Sequence, residues 1–160
     1  MTTRGRRRRS EPGSRARPQR WRSEFYEDEH GLSPFARWFE RDLTSYEQAV
    51  LAAAVKQVLE VVGIDICGSE WGKNLGDGLF EFRVRQSLHA IRTYGQGPAP
   101  PARPGEDRTV LLRAFVTFYG DRVVLLLHGL NKGRTSSVRK QQKEIAKARR
   151  LLSDWRRRRR

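Results

Sequence analysis

Residues 79–85, Leu79-Phe80-Glu81-Phe82-Arg83-Val84-Arg85, alternate with a period of two. Phe80, Phe82 and Val84 fall on one side; Glu81, Arg83 and Arg85 fall on the other. Successive side chains of a strand point to opposite faces, so this stretch reads as a strand with one apolar and one charged face. Two apolar strands are expected downstream, over 109–119 and 122–128, joined by Gly120-Asp121 as a two-residue hairpin turn with glycine first. Upstream, Trp21, Ser23 and Phe25 alternate with Arg22, Glu24 and Tyr26, a short strand signal.

The remaining periodicity is helical. Ser33-Pro34 is a helix start, with serine as N-cap and proline in the first turn, and Phe35, Trp38 and Phe39 then share a side. Thr44-Ser45-Tyr46-Glu47 has capping-box spacing, and Gly63 is placed to end that helix. Between them Ala49, Val50, Ala53, Ala54, Val58 and Val62 recur at helical intervals, with Lys56 and Glu60 turned outward. Ser136 or Ser137 caps a final helix to about Trp155, whose buried line is Val138, Ile145, Ala148, Leu152 and Trp155. Residues 95–107 hold too much proline and glycine for regular structure. Trp38, Trp71 and Trp155 are expected as core anchors. The order β-α-α-β-β-β-α predicts an α+β domain over 21–155, an antiparallel β-sheet with two N-terminal helices and one C-terminal helix packed on one face. Residues 1–20, almost all Arg, Pro, Gly and Ser, are expected to be a disordered tail, and 156–160 a basic one.

Charge is distributed unevenly. The chain carries a formal net charge of +15, but residues 1–22 hold nine arginines against Glu11, and 156–160 are five more. Inside the domain, 23–72 carry three basic side chains against ten acidic ones, whereas 73–150 carry sixteen against six. A polyanion would therefore meet the second half. No run of 18 apolar residues suggests a membrane span, and the arginine-rich start has no apolar stretch of the secretory kind. A single cysteine, Cys67, has no disulfide or CxxC partner, which points to the reducing cytoplasm and away from a zinc module.

The residues suited to chemistry are cations. Arg83 and Arg85 leave one strand on the same side, and Arg113 interrupts the apolar run Leu111-Leu112-Arg113-Ala114-Phe115. A cation there is costly unless it is paired or functional. His128 ends the next strand, followed by Lys132 and Arg134. Gathered by strand pairing, such groups suit phosphodiester chemistry: fixed guanidinium and ammonium groups stabilise charge developing at phosphorus and position a 2′-hydroxyl for in-line attack. No paired carboxylates with metal-ligand spacing accompany them, so a two-metal nuclease is not indicated and no cofactor is implied. Each has a plainer alternative: surface charge for Arg85, Lys132 and Arg134, and a satisfied core histidine for His128.

The segment Lys73-Asn74-Leu75-Gly76-Asp77-Gly78-Leu79-Phe80-Glu81-Phe82-Arg83-Val84 resembles the K-x-L-x-x-G-L-[WYF]-E-L-R signature of phage-derived HigB-like toxins of the RelE/ParE superfamily. Leu112-Arg113-Ala114-Phe115, Leu125-Leu126-Leu127-His128-Gly129-Leu130-Asn131-Lys132-Gly133 and Lys143-Glu144-Ile145-Ala146-Lys147-Ala148 are similar to its later motifs, in the same order. The resemblance spans about 21–155. It implies a RelE-like fold and the toxin of a type II toxin–antitoxin system: an mRNA endonuclease that acts on the ribosome without metal and is neutralised by a helix-turn-helix antitoxin. It also implies that Arg83, Arg113, Lys132 and His128 form the catalytic set, with Lys73, Arg85 and Arg134 binding RNA. Two features depart from the pattern. Gly133 stands where the family has a second lysine, with Arg134 one place later. The connection from Arg85 to Arg113, containing His89, Arg92 and Tyr94, is also far longer than a hairpin, long enough for a lid or substrate guide over the active face. A ParE-type gyrase inhibitor and a non-catalytic RNA- or ribosome-binding module are the alternatives.

Overall fold

A computed structural model describes residues 20–159. The disorder expected of residues 1–19 lies outside the described residues. Five strands form one sheet: β1 (Arg22–Phe25), β2 (Gly72–Gly76), β3 (Leu79–Val84), β4 (Leu112–Tyr119) and β5 (Val123–Asn131), in the spatial order β1-β5-β4-β3-β2. The pairs β2–β3, β3–β4 and β4–β5 are antiparallel, but β1 runs parallel to β5. The sheet is therefore mixed rather than wholly antiparallel. The helices after β1 carry the chain to β2 at the opposite edge of the sheet, so β1 and β5 are not joined by a hairpin and their pairing is free to be parallel.

Helix starts obey local chemistry. In α1 (Pro34–Asp42) the Ser33 hydroxyl accepts from the Ala36 amide and proline opens the first turn. In α2 (Ser45–Ala54) Thr44 and Glu47 exchange both bonds of a capping box. α2 continues through a π-helical stretch (Val55–Leu59) to a last turn at Glu60–Val62. Gly63 ends it at φ +58°, with the Trp21 ring lying where a Cβ would go, so only glycine suits the position. The short α3 (Leu88–Arg92) was not visible as a period. α4 (Val138–Arg158) begins at Ser137, whose hydroxyl accepts from the Lys140 amide.

The helices do not share one face, as the sequence had suggested. Phe35, Trp38, Val50, Leu51, Val58 and Leu59, from α1 and the α2 region, pack on Phe82, Val84, Leu112, Ala114, Val116, Val124 and Leu126. On the opposite face Ile145, Ala148 and Leu152 of α4 pack on Leu79, Phe115, Leu125, Leu127 and Leu130. β5 is buried along its whole length because both sides of it are covered. Three further expectations change. Val138 is 69% exposed, since α4 has not yet reached the sheet there. Arg156–Arg158 belong to α4 and are anchored, Arg156 to the Asp77 carbonyl, Arg157 and Arg158 to Asp154. The β4–β5 turn spans three residues rather than two, since Tyr119 pairs with Val123.

A β-bulge decides what reaches the charged face. Phe115 pairs with His128 but Val116 pairs with Leu126, leaving Leu127 as an extra residue on β5. Beyond the bulge the alternation shifts by one, so His128 and Leu130, rather than Gly129, face α4. Gly129 faces α1, where the Trp38 ring occupies the space of a side chain.

The 86–111 connection is not a lid. Leu88, Ile91 and Val110 are buried in the α1–α2 core, and the Tyr46 hydroxyl both donates to the Arg108 carbonyl and accepts from the Leu88 amide. Tyr94 packs edge-on against Trp71. An ion pair between Arg92 and Glu106 ties the loop to α3. Apolar anchors thus draw it to the face opposite the charged one.

Candidate functional site

The charged face is built row by row from the strand register. Lys73 of β2, Glu81 of β3, Phe115 of β4 and His128 of β5 are successive cross-strand partners and form one row. Arg83, Arg113 and Leu130 form the next. Arg85, one residue beyond β3, and Lys132, one beyond β5, extend it by strand alternation. Lys132 confirms this placement, since its Nζ donates to Oε1 of Gln141 on α4 at 2.8 Å.

Two arginines directly opposite each other repel. Glu81 holds them. Its carboxylate accepts from Arg83 Nε at 2.5 Å and lies 3.5 Å from Arg113 Nη1. It is the least exposed charged side chain of the group, at 1%, against 10% for Arg113 and 22% for Arg83. The compensation is incomplete. Arg113 Nη1 is within ion-pair range of Glu81 yet has no hydrogen-bond geometry, and Glu81 Oε2 has no partner. Burial lowers the Arg113 pKa from its ordinary value, Arg83 and Arg85 push the same way, and Glu81 opposes them. Two guanidinium groups thus share one carboxylate, with the Arg85 charge near enough to act on Arg113. Such a group, already desolvated and held in place, is poised to take an oxyanion with little reorganisation.

His128 is separated from this chemistry. Its Nε2 meets Oε2 of Glu144 on α4 at 2.5 Å, while Nδ1 is buried without a partner. A carboxylate at Nε2 fixes the proton there. Burial lowers the His128 pKa and the Lys147 charge adds to that, against the bond from Glu144. With one nitrogen engaged and the other inaccessible, His128 fastens α4 to the sheet, the second of the roles the sequence left open.

Arg134 is drawn elsewhere as well. Its guanidinium donates to the Asp42 carbonyl at 2.7 Å and to Glu47 at 3.0 Å, clamping the loop to α1 and α2. Lys73 and Arg85 are exposed at the border of the arginine pair. A cleft of about 350 Å³ between α1 and α4 is lined by Trp38, Asp42, His128, Asn131, Lys140 and Lys147, among others, but by none of the sheet arginines.

Sequence alternation put Glu81 on the same side as Arg83 but gave it no role; a lone acid followed by two arginines on one strand face was the available signal. Gln141 and Glu144 were equally legible as polar interruptions on the sheet-facing side of α4. Among the described residues no group of three or more His, Cys, Asp or Glu is placed to hold a metal ion, and no helix is long and apolar enough to cross a membrane. In comparison with known proteins, the chain matches no family model and no curated protein.

Proposed function

We propose that this protein is an RNA-cleaving toxin whose Arg83–Arg113 pair binds the scissile phosphate, with Lys132 and Arg85 supplying further positive charge. The observation that carries this proposal is the shared, under-compensated carboxylate: Glu81 orients both guanidinium groups yet neutralises only one charge among Arg83, Arg85 and Arg113. A phosphodiester's non-bridging oxygens would accept from the parts of the Arg83 and Arg113 guanidinium groups that remain exposed, and would add the negative charge that Glu81 supplies only in part. In the transition state charge builds on those oxygens, where fixed donors in a desolvated site act most strongly. The attacking group is the neighbouring 2′-hydroxyl oxygen, which loses its proton to water and bonds to phosphorus as the 5′-oxygen departs and takes a proton from water. The products are a 2′,3′-cyclic phosphate and a 5′-hydroxyl end. No His128 step is required.

The motifs shared with HigB-like toxins supply the biological setting: mRNA engaged on the ribosome, growth arrest, and neutralisation by a helix-turn-helix antitoxin. The deciding experiment is induction of the wild type and of Arg113→Ala, with RNA ends mapped in both. Growth arrest with new cyclic-phosphate ends in the wild type alone supports the proposal. Loss of one or two transition-state hydrogen bonds of this kind costs roughly 10²- to 10³-fold in rate. A folded Arg113→Ala protein that remains toxic would sink it. Intact message with impaired gyrase would favour the ParE-type alternative.

A further inference from the structure

α4 carries a second basic surface, on the side turned away from the sheet. Ile145, Ala148 and Leu152 are its buried line, and Arg149 and Arg156 spend their guanidinium groups on carbonyls of the β2–β3 hairpin. Arg139, Lys143 and Arg150 remain on that side, with Lys140 and Lys147 flanking it at the cleft toward α1, and all five are exposed. Among the described residues, none of their side chains has an ion-pair or hydrogen-bond partner. Glu144 is the one acid between 138 and 153, and it is turned inward onto His128.

Such a face costs stability. An ordinary solvated helix mixes signs at i,i+4, whereas Arg139–Lys143 and Lys143–Lys147 are like-charge pairs at that spacing. Arg139 and Lys140 also sit in the first turn, where the helix dipole disfavours cations and no acid is present. A row of cations retained against both penalties implies a partner that removes them.

The form of the face selects the partner. From 139 to 150 the row extends about 16 Å along a rigid rod. No aromatic lies on it, so bases of a single strand have nothing to stack on. Its outer side is also without the apolar residues that a membrane-surface helix inserts. A stiff polyanion read through its phosphates fits both facts. We infer that the outer face of α4 binds the phosphate backbone of a nucleic-acid duplex, independently of sequence; that the duplex is RNA rests on the RNA-cleaving function proposed above. This surface is separate from the Arg83–Arg113 site and does not depend on cleavage there.

The test uses the full chain and a short RNA duplex of arbitrary sequence, with affinity measured across a salt series. Arg139→Gln/Lys143→Gln/Arg150→Gln is compared with a charge-matched control, Arg6→Gln/Arg7→Gln/Arg8→Gln. The helix variant should bind at least tenfold more weakly, with a log–log salt slope shallower by about 2 to 3, as expected for three lost phosphate contacts. The control should lose less. Arg139→Lys/Arg150→Lys should bind like the wild type, as expected of contacts made by charge, and relief of repulsion should leave the melting temperature of the glutamine variant unchanged or higher, which excludes a folding defect as the cause. An unchanged slope, an equal loss in the tail control, or a loss confined to vesicles containing anionic phospholipid would each overturn the inference. Arg113→Ala should retain duplex binding whatever it does to toxicity, so failure of one assignment is distinguishable from failure of the other.

Discussion

Glu81→Ala removes the carboxylate on which the charged face is organised. In the wild type that side chain is 1% exposed and contacts Arg83 at 2.5 Å and Arg113 at 3.5 Å. Its loss leaves two cross-strand guanidinium groups facing each other, one of them 90% buried, with Arg85 adding to the repulsion. Removing one member of a buried ion pair costs about 3–5 kcal/mol, because the remaining charge is stranded. For a domain of this size that corresponds to a fall of about 10–15 °C in melting temperature. Urea and thermal unfolding of both proteins measure it. The same substitution in an Arg113→Met background should cost about 1–3 kcal/mol less, the coupling expected of residues in one network. Sulfate should restore the Glu81→Ala protein beyond its general effect on the wild type, by about 1.4 kcal/mol at ten times its dissociation constant, since the stranded guanidinium groups form an anion site. A cost below about 1 kcal/mol, or no coupling to Arg113, would show that the arginines are individually solvated and that Glu81 does not organise them.

Two further predictions concern what holds the face in place. His128 is kept neutral by burial, so its folded pKa lies below the unfolded value of 6.5. The unfolded chain therefore binds the proton first, and stability falls as pH drops below about 6.5. His128→Asn should flatten the melting temperature between pH 7 and 5, and an unchanged pH dependence would contradict the assignment; Asp154 and Glu24, whose pKa values are also lowered, act only below their ordinary values of 3.8 and 4.5. Gly129→Ala forces a methyl group into the Trp38 ring and should destabilise by about 1–3 kcal/mol in urea unfolding, whereas Gly133→Ala, which meets only Asn131 Oδ1 at 3.2 Å and Leu111 Cβ at 3.9 Å, should cost less.

What the sequence disclosed follows the range of the interactions concerned. Helix starts at Ser33 and Thr44 are set within four residues, and the structure repeats the caps that the spacing predicted. The alternation of 79–85 likewise put Arg83 on the polar side of its strand. Pairing is different, because it depends on chain far away. The bulge at Leu127 has no local signature, and without it strict alternation would turn His128 and Leu130 toward α1 and set Gly129 and Asn131 beside Arg113. One signal was present and pointed beyond the expected fold. The nearly unbroken apolar runs 110–116 and 123–130 are what strands covered on both faces require, whereas a sheet open on one side would alternate. Two-sided cover is also what makes the charged row costly. On an open face Arg113 would be an ordinary surface residue, but beneath α4 its charge is desolvated and must be matched, and Glu81 matches only part of it. The burial that stabilises the fold therefore generates the electrostatic deficit on which the proposed phosphate site rests. If Glu81→Ala left Arg113 as comfortable as before, that connection between fold and function would be broken.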